Sequence, residues 1–288
     1  MKPPAFEYIS VRTTDEAISQ LAKHQTAKIL AGGQSLTPML NFRLVHPDML
    51  IDINPIKELD YIRENNGGMS IGALTRHRAI ESSKLVREKL PILAAAAAEV
   101  GHLAIRTRGT FGGSLAHADP AAEFPMIALL LDAEIKARSA KGQRSIKSKD
   151  FLVSYLQSAV ADGELVTEVY IPGLPAHTGW GFHELCRRPG DFALAAVAAI
   201  VTMNAGKCAD VRLSMAGVGA TALRAPAAEA LLKGKAPDAA LLKQVGQKAG
   251  EEADPSNDVH ASSDFRRHLV VELTQRALKD AIERAAKA

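Results

Sequence analysis

The sequence predicts an α+β protein: a two-part N-terminal domain, followed by a C-terminal domain of a three-stranded antiparallel sheet with helices. Three observations predict it. Strand and helix patterns alternate over residues 1–57. Hairpin-like strand pairs then flank a run of helical patterns over residues 58–175. After Gly173-Leu174-Pro175, three apolar runs joined by short turns are followed only by helical patterns, so a second domain over residues 176–288 is expected.

Each element has a local cause. Phe6–Val11 reads as a strand, and Thr13-Thr14-Asp15-Glu16 is a capping box that opens a helix to about His24. Lys28–Ala31 is the next strand. Pro38 suits the first turn of a short helix through Arg43, and Met49–Ile53 closes a β-α-β-α-β unit. Tyr61–Glu64 and Met69–Ala73 flank Asn65-Asn66-Gly67-Gly68, a hairpin signal. Helices are expected at Arg76–Lys89, Pro91–Val100 and Pro120–Leu131, with Leu103-Ala104-Ile105 as a strand before the last of these. Ala133–Ser139 with Arg144–Ile146 forms a second hairpin, and Leu165–Ile171 a strand stopped by Pro172. In the second domain the strands are Gly179–Cys186, Ala193–Met203 and Ala209–Met215, and the helices are Pro226–Lys233, Pro237–Ala253 and Ser262–Ala286.

Bulk properties exclude several functions. The net charge is +3, too small and too dispersed for a nucleic-acid partner. The two cysteines, Cys186 and Cys208, form no C-x-x-C pair, so neither an iron–sulfur cluster nor structural zinc is expected on this chain. His77, His102 and His117 fit no zinc spacing and read as hydrogen-bonding or surface groups. No run reaches the ~18 apolar residues of a membrane helix. With no apolar signal region at the N-terminus, a cytoplasmic protein without membrane insertion is expected.

Two glycine-rich turns carry the chemistry. Ala31-Gly32-Gly33-Gln34-Ser35-Leu36 follows the second strand. Thr107–Ser114 packs three glycines and three hydroxyl residues into eight positions. Adjacent glycines leave backbone N–H groups uncovered, and such turns hold phosphate oxygens. Two of them, far apart in sequence, suit the diphosphate of a dinucleotide. Gly217-Val218-Gly219-Ala220-Thr221-Ala222 also fits a dinucleotide fingerprint, but Pro226 would break the helix that must follow, so it reads as a strand-to-helix connection.

These segments resemble the FAD-binding medium subunit of the molybdenum hydroxylases, the family of xanthine, carbon monoxide, aldehyde and N-heteroaromatic dehydrogenases. The resemblance rests on Leu30–Leu36 and Ile105–Pro120, and in the second domain on Gly217–Pro226 and Asp254–Arg267. It implies a two-part FAD-binding domain of the vanillyl-alcohol oxidase/p-cresol methylhydroxylase type. Leu30, Ala31, Gly32, Gly33, Gln34, Ser35, Leu36 and Thr37 would wrap the FAD pyrophosphate. Gly109, Thr110, Phe111, Gly112, Gly113 and Ser114 would hold it from the other side. Glu123 stands at an acidic position that binds ribitol or ribose hydroxyls. Leu165 or Val166 would lie near the flavin ring or adenine, and Val100 on the adenine. His117 lies within the cofactor segment, and Asp119 either contacts the cofactor or orders the loop. Phe192 either covers the isoalloxazine ring or is a core residue at a strand start.

The chain departs from the family where a lysine commonly sits near the flavin, because Phe182-His183-Glu184-Leu185-Cys186-Arg187-Arg188 offers His183 or Glu184 there. The implied role is electron exit. A molybdopterin-binding large subunit hydroxylates substrate, a small subunit carries two [2Fe-2S] clusters, and this chain passes electrons to a terminal acceptor, within a dimer of heterotrimers. The alternatives are a stand-alone flavin oxidase, for which no substrate base is evident, and an assembly protein without FAD, against which the intact glycines argue.

Overall fold

The computed structural model describes residues 1–287. A three-stranded parallel sheet of order β1-β3-β2 comes first, made of β1 (Glu7–Ser10), β2 (Lys28–Leu30) and β3 (Met49–Asp52). Helices α1 (Thr14–Lys23) and α2 (Leu36–Asn41) form its connections. The Thr13 cap is made, its Oγ1 accepting from Glu16 N at 3.2 Å, while the Glu16 carboxylate accepts from Arg12 N, one residue before the cap, at 2.7 Å. The central strand carries the buried run Met49-Leu50-Ile51, as a strand covered on both sides must.

The second part is a five-stranded antiparallel sheet of order β4-β5-β10-β6-β7. Its strands are β4 (Ile62–Asn65), β5 (Gly68–Gly72), β6 (Glu134–Ser139), β7 (Gly142–Lys147) and β10 (Leu165–Ile171), with a small hairpin of β8 (Leu152–Ser154) and β9 (Gln157–Ser158) beside them. Helices α3 (His77–Ser82), α4 (Lys84–Lys89), α5 (Pro91–Glu99), α6 (Leu103–Arg106), α7 (Phe111–His117), α8 (Glu123–Leu130) and α9 (Ser148–Phe151) complete this part. Every residue of α8 is buried, as its apolar run Phe124–Leu130 requires.

The third part is a sheet of β11 (Thr178–Leu185), β12 (Ala195–Asn204), β13 (Lys207–Ala216) and β14 (Leu223–Arg224), with α10 (Pro226–Leu232), α11 (Ala239–Glu252) and α12 (Ser263–Ala285). The expected meander therefore gains a two-residue fourth strand. The unbroken apolar run of β12 is explained by burial on both faces. Ala196, Ala198 and Ile200 join the core beneath α5 and α8, while Ala195, Val197, Ala199 and Val201 join the core under α10–α12.

Two expectations are corrected. Leu103–Ile105 is helix α6, not a strand. The triplet is too short to pair, Leu103 is exposed, and the amides of Ile105 and Arg106 close onto the His102 carbonyl. The single helix expected over Arg76–Lys89 breaks at Ser83, whose extended backbone ends α3 and whose hydroxyl caps α4 through Val86 N. As expected, Gly217–Ala222 leads through β14 into α10, with Pro226 in the first turn of that helix.

Candidate cofactor site

The first glycine loop connects β2 to α2 and displays a run of free donors. Among the described residues, the amides of Gly32, Gly33, Gln34 and Ser35 donate to no protein acceptor. The carbonyls beside them are occupied. Asn54 Nδ2 donates to Ala31 O at 2.7 Å, Gln34 Nε2 to Gly32 O at 3.2 Å, and Thr37 N to Gly33 O at 3.0 Å. In a trans peptide the C=O and the following N–H point in opposite directions. Holding those carbonyls by side chains and Thr37 N therefore turns the next amides away from these partners. Gly33 has φ +73°, a conformation cheap only for glycine.

The second glycine loop lies against the first. A Cβ at Gly32 would meet the carbonyl of Arg108 and fall 2.7 Å from Gly109 Cα. Here the amides are mostly spent, which corrects the expectation that Thr110 to Ser114 offer a run of backbone donors. Phe111 N donates to Thr75 O and Gly112 N to Ala73 O, both at 2.9 Å. Ser114 N donates to Thr110 O at 3.0 Å, and Gly113 N to the capping Thr110 Oγ1 at 3.2 Å. Thr110 is buried, and the Ser114 hydroxyl, part-exposed, has no partner among the described residues. The loop's glycines serve packing: a Cβ at Gly112 would lie 2.6 Å from Ala73 Cβ, and one at Gly109 2.6 Å from His77 Cε1. His77 is buried, neither ring nitrogen meets a hydrogen-bond partner among the described residues, and burial lowers its pKa to about 4, so it stays neutral beneath the loop.

Beyond the second loop, Asp119 orders the chain, accepting from Ala121 N at 2.9 Å, with His117 Nε2 3.9 Å from its carboxylate. Burial lowers the His117 pKa. Glu123 follows at the start of α8. It is 6% exposed, and among the described residues its carboxylate has no hydrogen bond to another residue. Burial raises its pKa to about 7, with smaller contributions from the charges of Asp119 and Glu99.

The C-terminal domain closes the site from another side. Strand alternation separates the two candidates at the departure from the family lysine. His183 faces α12, 3.2 Å from the Asp280 carboxylate, and is removed from the site. Glu184 takes the opposite face with Phe182, which packs on the core of the second part. Burial first, then the charges of Glu123 and Glu99, raises the Glu184 pKa to about 8. The following loop rests on the Gly101-His102 turn, where a Cβ at Gly190 would lie 2.6 Å from His102 Cε1. Phe192 is 64% exposed at the end of that loop, so the core reading of it is excluded.

Other sequence-derived candidates lie in the cores. Leu165 is buried with Val11, Ile51 and Leu74, and Val166 with Val169 and Ile135. The Phe111 ring is fully buried edge-on to Phe124, at 5.0 Å. Val100 is partly buried against the same core. Leu30, Leu36 and Thr37 flank the donor run in β2 and α2. Sequence reasoning missed Asn54, Arg76 and Arg106. Arg106 donates to the carbonyls of Val100 and Gly101 and pairs with Glu81 at 2.9 Å. Asn54 directly precedes Pro55 at a strand end, the one local sign that it orders a turn.

Among the described residues, no His, Cys, Asp or Glu group is placed to hold a metal ion, and no helix is long and apolar enough to cross a membrane. The unpartnered amides of the first loop, the second loop packed against them and the buried Glu123 beyond it are thus placed by three separate segments of the chain.

Residues 4–174 match the family model of the FAD binding domain in molybdopterin dehydrogenase, and residues 180–281 that of the CO dehydrogenase flavoprotein C-terminal domain. The 6-hydroxypseudooxynicotine dehydrogenase complex subunit alpha of Paenarthrobacter nicotinovorans is 43% identical, across 99% of this chain and 97% of that protein. The fold superposes on carbon monoxide dehydrogenase of Hydrogenophaga pseudoflava lacking the Mo-pyranopterin moiety, with TM-score 0.96, 35% identity and 99% of each chain covered. It also superposes on quinoline 2-oxidoreductase of Pseudomonas putida 86, with TM-score 0.95, 38% identity and 99% of each chain covered. The chain belongs to the FAD-binding medium-subunit family of the molybdenum hydroxylases.

Proposed function

We propose that this chain is the electron-exit subunit of such a complex and that it holds FAD between its two glycine loops. The observation that carries the reading is the run of four unpartnered amides, Gly32 to Ser35, with the neighbouring carbonyls drawn away. These amides hold the pyrophosphate, and the Ser114 hydroxyl meets it from the opposite loop. Glu123 accepts from ribityl or ribose hydroxyls. Phe192 covers one face of the ring, and Glu184 faces the ring from β11. Bound there, FAD supplies the exchange between one-electron and two-electron transfer that the protein side chains cannot provide. The chain positions the cofactor and contributes no proton-transferring catalytic residue.

In this reading residues 1–175, divided near residue 57, form the FAD-binding domain, and residues 176–288 the C-terminal domain. A [2Fe-2S] small subunit delivers the electrons, a molybdopterin-binding large subunit generates them, and the whole assembles as a cytoplasmic dimer of heterotrimers. The test is purification of the full chain alone and together with its partners. A yellow chain whose extracted flavin is FAD, and which forms a three-subunit complex, supports the proposal. A colourless chain that quenches no added FAD fluorescence overturns it.

A further inference from the structure

We infer that Asn54 and Arg76 act as one positioning pair that locks the two glycine loops at a fixed spacing before the diphosphate arrives. The inference rests on the FAD reading above. It concerns two residues that need not touch the cofactor.

The pair forms a continuous relay across the two parts of the N-terminal domain. Asn54 follows β3. Its Nδ2 donates to Ala31 O in the first loop at 2.7 Å, and its Oδ1 accepts from Arg76 Nη2 at 2.6 Å. Arg76, at the start of α3, donates through Nη1 to the carbonyl of Arg108 in the second loop. Each loop is thus gripped by a backbone carbonyl, and both grips meet at one amide–guanidinium contact. The Asn54 amide is itself oriented. Asp52 Oδ1 accepts from Asn54 N at 2.9 Å and from Nδ2 at 2.6 Å, while Tyr8 Oη donates to the other Asp52 oxygen at 2.6 Å. Five residues from β1 to the second loop are therefore chained by hydrogen bonds, several of them charge-assisted and so stronger than neutral ones.

The geometry gives the relay a function beyond tethering. The Ala31 carbonyl that Asn54 holds belongs to the same peptide as the Gly32 amide, first of the four free donors. Rotating that peptide would turn the donor away from the site. The loops also touch at Gly32, where no side chain fits against Gly109 Cα, so neither can shift alone. Arg108, whose carbonyl Arg76 holds, forms no salt bridge among the described residues. Burial first, and then the Arg108 charge, lowers the Arg76 pKa, so two cations stand near one another beside the donor run, an arrangement that a diphosphate anion relieves. Arginine is required because one planar guanidinium reaches both acceptors at once, which a lysine ammonium does only poorly.

The experiment uses the full chain freed of flavin and titrated with FAD by fluorescence quenching, in wild type, N54A, R76A, R76K and the double variant N54A/R76A. Loss of one such hydrogen bond corresponds to roughly 10- to 100-fold in affinity. Each alanine variant is expected to weaken FAD binding by that factor, R76K by less than R76A, and the double variant by no more than the worse single one. Amide NMR of the flavin-free chain supplies the readout that general destabilisation would not move. R76A should shift the Gly32 amide resonance, although Arg76 does not touch the first loop, and N54A should shift that of Gly109. Multiplying losses in the double variant, or shifts confined to the loop each residue touches, would overturn the inference while leaving the FAD reading intact. Wild type that binds no FAD would overturn both. A variant that fails to fold leaves R76K and the resonances of N54A to decide.

Discussion

The two glycine loops look alike in sequence and do different work. Gly32 to Ser35 keep four amides free, and the carbonyls of Ala31, Gly32 and Gly33 are held by Asn54, Gln34 and Thr37. In Gly109–Ser114 the amides of residues 111–114 are bonded within the chain, and the glycines let Ala73 and His77 approach. The first loop leaves its donors open. The second is a packing joint. Glycine density marks both, but only the hydrogen-bond inventory separates them.

Substitutions at the glycines should break this comparison most sharply. Gly32→Val places a branched side chain where even a Cβ clashes with Gly109 Cα, and it separates the loops. It should weaken FAD binding at least ~100-fold, equivalent to about 3 kcal/mol, read by quenching. Gly112→Ala should do the reverse. Its Cβ would enter the Ala73 contact in the core, costing about 1–3 kcal/mol of stability, measured by urea unfolding of the flavin-free chain. If Gly112→Ala lowered FAD affinity with stability unchanged, the second loop would be a binding surface after all.

Glu123 gives a smaller, pH-dependent effect. Folded, it keeps its proton up to about pH 7, whereas an unperturbed glutamate releases it near 4.5. Between those values the folded chain binds more protons than the unfolded one, so stability falls as pH rises. Glu123→Gln removes this loss. The stability of the flavin-free variant relative to wild type should improve by up to about 3 kcal/mol from pH 4 to pH 7, while FAD binds the variant more weakly. A flat difference across that range would show that the carboxylate is not desolvated. His183→Ala should have the smallest effect. Its side chain pairs with Asp280 on α12, so FAD affinity should stay within about twofold, well inside the ~1.4 kcal/mol of a tenfold change.

What the sequence disclosed follows the range of the forces involved. The Thr13 cap, the hairpin at Asn65–Gly68, the apolar run of β12 and the helix start at Pro226 are written within a few residues, and each forms as expected. The glycine loops were legible for the same reason. Asn54 and Arg76 were not, because their partners lie 22 and 32 residues away and a lone polar residue carries no period. Phe111, Leu165 and Val166 sit at positions the resemblance places beside the cofactor, yet their side chains fill cores. A motif records position in the chain and does not say which face of the backbone a side chain takes. Leu103–Ile105 shows the same limit for elements, since three apolar residues satisfy a strand and an exposed helical turn equally.

The doubly buried strand β12 bears on how the chain is made. Ala196, Ala198 and Ile200 complete the core beneath α5 and α8, although they lie beyond the last strand of the FAD-binding half, which ends at Ile171. Synthesis from the N-terminus at roughly 5–20 residues per second leaves that apolar face uncovered for several seconds, while the remaining strands emerge. A chain truncated shortly after Ile171 should therefore expose this apolar face and aggregate, where a chain continuing through β12 does not.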